Sequence, residues 1–541
     1  MSLLKTGFVG FLTLLLTVIV SAQETMTVEI IPLAESEACS GSFVTHELDH
    51  ITTIPSGDTV QMFEANGSGV AVNDLNNDGL LDIVLGNHAG QNTILWNEGN
   101  LNFRTSQLPI GDTRAVTLID YNLDGWIDIF ITRTASAPNL WLNQGDETFQ
   151  QAIINSLSEP LYAITWGDID ADGDLDLVGA TYDAALLNDF GQEFLLDGRG
   201  GVYVYENDNG LQTGQQLINE AQALALVLVD INRDGRLDIL VGNDFAVPDY
   251  AWYNLPTGWQ PAAFKTTTHS TMSFDFADVN NDGSREIFAT DMMPYSDDPQ
   301  TMFAWQPIME SMMDEDHAAD DPQIMENVLQ IADSVGYYND ALNRGINATG
   351  WSWSGKFGDL NQDGFLDLYV VNGMIERTIF AHLPNHELVE ENQVLANNGL
   401  GEFVAMPQWL LNSEASGRGM ALADFDMDGD LDIVVNNLRG AAQLFENQLC
   451  EGRSLQVELN KPNSNNPQAI GATLALESSI GTLYRDVRST SGYLSGDSAR
   501  VHFGFPANTE LYSLTITWSD GSVSTVDDLR PQNLYRITLE N

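Results

Sequence analysis

The sequence predicts an all-β protein, a seven-bladed β-propeller followed by a small β-rich C-terminal domain, and three observations carry that prediction. A nine-residue acidic pattern recurs seven times, period-two apolar alternation flanks the copies, and after about residue 450 the pattern stops while strand-like alternation continues. The pattern is DxBxDGxxZ, with B as Asp or Asn and Z as Asp or Glu. Its copies start at Asp74, Asp120, Asp168, Asp230, Asp278, Asp359 and Asp424. The shortest intervals between starts fit the roughly 40 to 50 residues of a four-stranded blade, and longer ones leave room for insertions.

From the N-terminus, Lys5 precedes an apolar run from Gly7 to Val20 that ends in Val20-Ser21-Ala22. This reads as a signal peptide over residues 1–22 with cleavage after Ala22. The run is shorter than the roughly 20 residues a membrane span requires. A secreted chain without a transmembrane segment is expected, whether extracellular, periplasmic or at the cell surface. Residues 36–450 then form the predicted propeller. An unmatched strand, Phe43 to Leu48, opens it and resembles the fourth strand of a blade, which the last repeat lacks. Pairing it with Leu444 to Asn447 completes the seventh blade and removes a free sheet edge.

Within each repeat an apolar residue lies two positions before the first Asp: Val72, Leu118, Trp166, Leu228, Phe276, Phe357 and Leu422. The tenth position of the pattern is apolar in every copy, as in Ile83 and Ile433. Each loop therefore joins two antiparallel strands. A third strand and a turn follow, as in Thr93 to Asn97 before Gly99-Asn100, and Asn139 to Asn143 before Gly145-Asp146.

The two cysteines are too few for a disulfide-dense scaffold or a cysteine-built zinc site. Aligned on the repeat, Cys39 and Cys450 fall on neighbouring turn positions at the closure, so a Cys39–Cys450 disulfide is expected. Between the fifth and sixth loops an acidic, Met-rich insertion spans about residues 291–335, with Ile308, Met312, Ile324 and Val328 placed to line helical faces and Pro322 breaking the run. It reads as a covering insertion on one rim. Residues 454–541 form the separate β domain, with strands at Leu455 to Leu459, Val501 to Phe503 and Leu514 to Trp518.

Lys and Arg total 21 against 77 Asp and Glu, for a formal charge of -56. That balance argues against a nucleic-acid binder, which needs a basic face. Hydrophobic residues at 43% supply enough core for the chain to fold despite its charge.

The acids have a pattern that suits a hard cation. Calcium takes six to eight oxygens, and the loop offers side-chain oxygens at positions 1, 3, 5 and 9 and a carbonyl at 7, with Gly at 6 for the sharp turn. The candidate ligands are Asp74, Asn76, Asp78 and Asp82 in loop 1, and Asp120, Asn122, Asp124 and Asp128 in loop 2. Loop 3 offers Asp168, Asp170, Asp172 and Asp176, and loop 4 offers Asp230, Asn232, Asp234 and Asp238. Loop 5 has Asp278, Asn280, Asp282 and Glu286, whose longer arm predicts a looser site. Loop 6 has Asp359, Asn361, Asp363 and Asp367, and loop 7 has Asp424, Asp426, Asp428 and Asp432. Up to seven Ca²⁺ are expected. An EF-hand would need flanking helices and a Glu at position 12, where loop 1 has Leu85. A metal-free Asp/Asn/Gly turn explains one copy but not seven in register.

The loops, with entries such as Gly69 to Asp74 and exits such as Leu431 to Asn437, resemble the FG-GAP or VCBS repeats of integrin-α-type propellers. The tail, with Ala469-Ile470-Gly471-Ala472, Ser491-Gly492-Tyr493-Leu494-Ser495 and Val501-His502-Phe503-Gly504, resembles the ASPIC/UnbV domain. The combination is similar to the cartilage acidic protein family. The resemblance implies a secreted calcium-binding propeller with matrix or surface interactions, and it supplies no ligand.

No HExxH, GxSxG or phosphate-cradling glycine loop is present. His382 and His386 have i, i+4 spacing, but Pro384 between them argues for loop histidines. The expectation is a non-enzymatic binding or adhesion module for an extracellular glycan or protein. The competing readings are a calcium-dependent polysaccharide lyase-like enzyme and a purely structural matrix component.

Overall fold

The computed structural model describes residues 14–20 and 24–540, apart from 37, 58, 110, 192–196, 246, 315–320 and 335. Between residues 43 and 447, among the described residues, each acidic loop joins the two innermost strands of a four-stranded antiparallel meander; five of these meanders are whole sheets, while those of loops 1 and 6 are extended by further short strands to six and five. In the first, Val70–Asn73, Asp82–Leu85, Asn92–Asn97 and Phe103–Leu108 follow one another outward, and the acidic loop joins the first two strands. The first strands of successive sheets pack together in chain order, and the seventh, Gly417–Ala423, returns to Val70–Asn73. The array thus closes on itself. Sequence and burial agree across each sheet: the inner strands are apolar and fully buried, whereas the outermost, such as Phe103–Leu108, is polar and half exposed.

The seventh sheet is completed by Phe43–Ile51, which runs antiparallel to Ala441–Asn447 with Phe43 opposite Asn447. Beside this pairing Cys39 and Cys450 are joined, their Cα atoms 5.6 Å apart. The two ends of the ring, 411 residues apart in sequence, are therefore fastened both by a ladder and by a covalent link.

The insertion differs in part from its sequence reading. A helix spans Pro299–Asp314, includes Met312 and buries Trp305 and Ile308. Ile324 and Val328 are not helical. Ile324 lies in Gln323–Ile324, which pairs with Thr267–Thr268, and Val328 opens Val328–Ala332, the third strand of the fifth sheet. The helical spacing of these two residues was overridden by strand partners already in place. Pro384–His386 is a 3-10 turn with Asn385 and His386 at positive φ, so His382 and His386 share no helical face.

The C-terminal domain has two sheets. One is ordered Gly481–Asp486, Thr473–Ser478, Leu511–Thr517 and Val523–Asp527. The other pairs Arg500–Pro506, Gly452–Asn460 and Asn533–Glu540 with an N-terminal strand, Glu24–Pro32. The domain thus starts at Gly452 and borrows a strand from before the ring. Of the expected leader, residues 1–13 and 21–22 lie outside the described residues, and Leu14–Val20 runs along the far side of Glu24–Pro32.

From this domain the segment Ser489 to Gly496 enters the axis of the ring. Ser489 Oγ accepts from Trp166 N at 3.0 Å and donates to Trp166 O at 2.9 Å. Gly492 N donates to Phe274 O at 2.7 Å, Tyr493 N to Ser354 Oγ at 3.1 Å, and Val116 N to Leu494 O at 3.2 Å. Ser495 Oγ accepts from Val70 N and Met420 N. The segment therefore bonds the innermost strands of sheets 1, 2, 3, 5, 6 and 7. Tyr493 is fully buried, with its ring edge-on to Trp353 at 5.0 Å. Gly492 has φ +67°, and a Cβ there would sit 2.4 Å from Ser354 Oγ, so glycine is required at this crossing.

Candidate metal centre

All seven acidic loops share one backbone. The residue at position 4 is left-handed in each copy: Asn77, Leu123, Ala171, Arg233, Asn281, Gln362 and Met427, with φ between 55° and 64°. The glycine at position 6 has φ between 87° and 97°, where a Cβ is strained. This path turns successive N–H groups inward. The position 1 carboxylate accepts from the N–H of position 6 in every loop, for example Gly79 to Asp74 at 2.8 Å and Gly429 to Asp424 at 2.9 Å. The N–H of position 5 joins it in six loops, as from Asp124 to Asp120 at 3.1 Å.

The position 9 carboxylates are 0 to 1% exposed and serve two ends of the sheet. One oxygen accepts from the N–H of position 2, as from Leu75 to Asp82 at 3.0 Å. In six loops the other oxygen accepts from the backbone of an Asn at or near the end of the third strand. These pairs are Asn97 to Asp82, Asn143 to Asp128, Asn207 to Asp176, Asn254 to Asp238, Asn397 to Asp367 and Asn447 to Asp432, at 2.7 to 2.9 Å. Glu286 in loop 5 keeps the first bond, from Val279 N at 3.0 Å. Five of these Asn side chains also bond the preceding sheet, as Asn143 Nδ2 does to Leu75 O at 2.8 Å and Asn97 Nδ2 to Phe425 O at 2.7 Å. They couple five of the seven loops to the preceding one around the ring. The sequence reading placed Asn97, Asn143 and Asn447 at strand ends and gave these Asn residues no part in the loops.

Among the described residues, three carboxylates bring oxygens within 4.8 Å of one another in two loops: Asp168, Asp170 and Asp172 in loop 3, and Asp424, Asp426 and Asp432 in loop 7. Asp176 and Asp428 stand outside these triads. Where position 3 is Asn, its amide instead donates to the position 5 carboxylate in loops 1, 2, 4 and 6, for example Asn76 to Asp78 at 3.0 Å and Asn232 to Asp234 at 3.1 Å. The sequence reading missed Asp174 and Asp430, acids at position 7 in the same two loops. Both are about 95% buried, each with Oδ1 lacking a hydrogen-bond partner. A fifth acid at the same position in two copies was the available signal.

Burial pushes Asp82, Asp128 and Glu286 up to about 7 and Asp176 up to about 8. Asp367 and Asp432 lie well above the usual carboxylate range for the same reason, reinforced by neighbouring carboxylates. Asp168, raised to about 6 by burial and then by Asp172 and Asp170, keeps a buried Oδ1 without a partner. An all-oxygen donor set with unneutralised, desolvated carboxylates suits a hard divalent cation.

The C-terminal domain sits over this end of the ring. Arg285 of loop 5 pairs with Asp486 at 2.7 Å, and Arg500 Nη2 donates to Gly79 O at 3.1 Å. His502 Nε2 lies 3.0 Å from Gly429 O, and Asp120 N donates to Gln468 Oε1 at 3.4 Å. At the opposite end a cavity of about 530 Å³ is lined by residues including Glu64, His88, Asp112, Arg114 and the exposed Arg377.

The chain matches the FG-GAP-like repeat family over residues 74–131, 120–179, 230–289 and 384–435, and the ASPIC and UnbV family over residues 462–541. No curated protein sequence matches it. Among solved structures, BBS1N in complex with ARL6DN is similar at a TM-score of 0.42 and 10% identity, over 76% of this chain and 97% of that one. The V. cholerae biofilm matrix protein Bap1 gives 0.32 and 12% identity, over 91% of this chain and 64% of that one. An arginine-substituted AofleA from Arthrobotrys oligospora gives 0.33 and 8% identity, over 69% and 94%. Likeness this remote bears on neither ligand nor partner. The chain thus carries FG-GAP-like repeats, which lie on the acidic loops between paired strands, followed by a C-terminal ASPIC and UnbV domain.

Proposed function

We propose that this is a secreted, calcium-loaded propeller of seven blades that acts as a non-catalytic binding module for an extracellular glycan or protein. Cations at up to seven loops neutralise the buried carboxylates and stiffen one end of the ring. The observation that carries the reading is the position of the C-terminal domain, which covers the metal-loop end and leaves the opposite end, with its cavity at Arg114 and Arg377, to meet a partner. At loops 6 and 7 the same arrangement weighs against a lyase working on metal-bound uronate: Arg485 and Arg500, whose charge acts on Asp359 and Asp424, are enclosed between that domain and the ring, whereas Arg233 of loop 4 is exposed.

The test is an array of acidic glycans and extracellular proteins, probed with and without calcium, alongside an assay for new unsaturated sugar ends. The expected result is calcium-dependent binding without turnover, weakened about tenfold by Arg377→Ala through loss of one charge-assisted contact. Robust formation of unsaturated ends overturns the binding-module reading.

A further inference from the structure

Loops 3 and 7 carry the same five acids, at positions 1, 3, 5, 7 and 9, yet differ in their surroundings. In loop 3, Asp170 and Asp172 are exposed. Loop 7 is enclosed: Asp424, Asp428, Asp430 and Asp432 are all buried. The enclosure comes from the C-terminal domain and its N-terminal extension. Ala34 N donates to Met427 O at 2.7 Å, His502 Nε2 lies 3.0 Å from Gly429 O, and Gln532 Nε2 bonds Asp428 O.

Gln456 is the informative residue. It projects from Gly452–Asn460, is 1% exposed, and places Nε2 2.5 Å from Asp424 Oδ2, while Oε1 of the same amide has no hydrogen-bond partner. Ser454 Oγ, also buried beside Gly429, has none either. A primary amide turns its oxygen and nitrogen ends over with little change of shape. Turned over, the carbonyl of Gln456 would face the Asp424 carboxylate, two acceptors repelling each other unless a cation lies between them. Side-chain amide carbonyls are ordinary ligands of a hard cation that needs six to eight oxygens.

We propose that loop 7 holds an interdomain cation, with the side-chain carbonyl of Gln456 as a ligand supplied from outside the ring. This rests on the cation reading of the loops. The ion can leave only when the C-terminal domain lifts, so loop 7 exchanges slowly while loop 3 exchanges freely. By linkage, the same ion holds the domain to the ring.

Release of calcium from the loaded full-length chain into a chromophoric chelator, followed by stopped flow, tests this. The wild type is expected to show fast release and a separate slow phase. Gln456→Leu should accelerate the slow phase about tenfold or more, Gln456→Glu should retain it, and Asp170→Asn in loop 3 should leave it unchanged. Wild-type release in a single fast phase, an unaltered slow phase in Gln456→Leu, or acceleration in Gln456→Glu as large as in Gln456→Leu overturns the proposal. A wild type that retains no calcium after loading instead overturns the underlying cation reading. Gln456→Glu keeps the test decisive should Gln456→Leu fail to fold.

Discussion

Stripping the divalent ions at about pH 8 is expected to lower the thermal midpoint of the full chain by about 10 °C. The gap between loaded and stripped protein should shrink as the pH falls toward about 5. With free calcium at ten times a site's dissociation constant, each ion stabilises the fold by about 1.4 kcal/mol, so seven independent sites approach about 10 kcal/mol. Spread over the unfolding entropy of several hundred residues, this corresponds to a shift of about 10 °C. The pH dependence follows from the raised carboxylates. Asp82 and Asp128 titrate at about 7 and Asp176 at about 8 in the ion-free fold, all above their unfolded values. The ion-free fold therefore binds more protons than the unfolded chain. Its stability is fullest at low pH and declines as the pH rises through 7 to 8. Cation binding runs the other way, because the ligands must be ionised. Differential scanning calorimetry at both pH values, with calcium or chelator, checks this; a gap that widens at low pH contradicts it.

The second large effect is expected at the axis. Tyr493→Ala should destabilise the fold by about 3 to 5 kcal/mol, because it empties a fully buried aromatic site packed on Trp353 at the point where the C-terminal domain meets the ring. Tyr493→Phe should cost about 1 kcal/mol or less, since it keeps the ring packing and gives up at most one contact with the Tyr162 hydroxyl. Denaturant unfolding measures both. Limited proteolysis should cut between the ring and the C-terminal domain more readily in the alanine variant. Equal stability of the two variants would show that Tyr493 does not anchor the domain.

The acidic loops were legible because their backbone places strict demands on composition. Gly at position 6 meets a positive φ, and the carboxylates at positions 1 and 9 collect inward-pointing N–H groups, so the pattern survives where the rest of the repeat varies. Position 4 was invisible. It is left-handed in every copy, yet it is filled by Leu123, Ala171 and Arg233 as well as Asn77, because the bonds around it override a weak local preference. Long-range pairing was the harder part. Glu24–Pro32 finds its partner at Asn533–Glu540, and no local pattern distinguishes such a strand from a linker. Ser491 to Ser495 stood out as a motif, but its role as the axial plug depends on strands contributed by six repeats. Gln456 gave no signal at all: it is one polar residue in an alternating strand, and its place against Asp424 exists only once two domains have met.

If oxygen cages at the inter-strand bends hold divalent ions, the number of calcium ions per chain reports it without any intermediate step. Elemental analysis of chain saturated with Ca²⁺ and then freed of excess ion by rapid desalting is predicted to give several, up to seven, falling to none after chelation. A saturated chain that carries no calcium would contradict it.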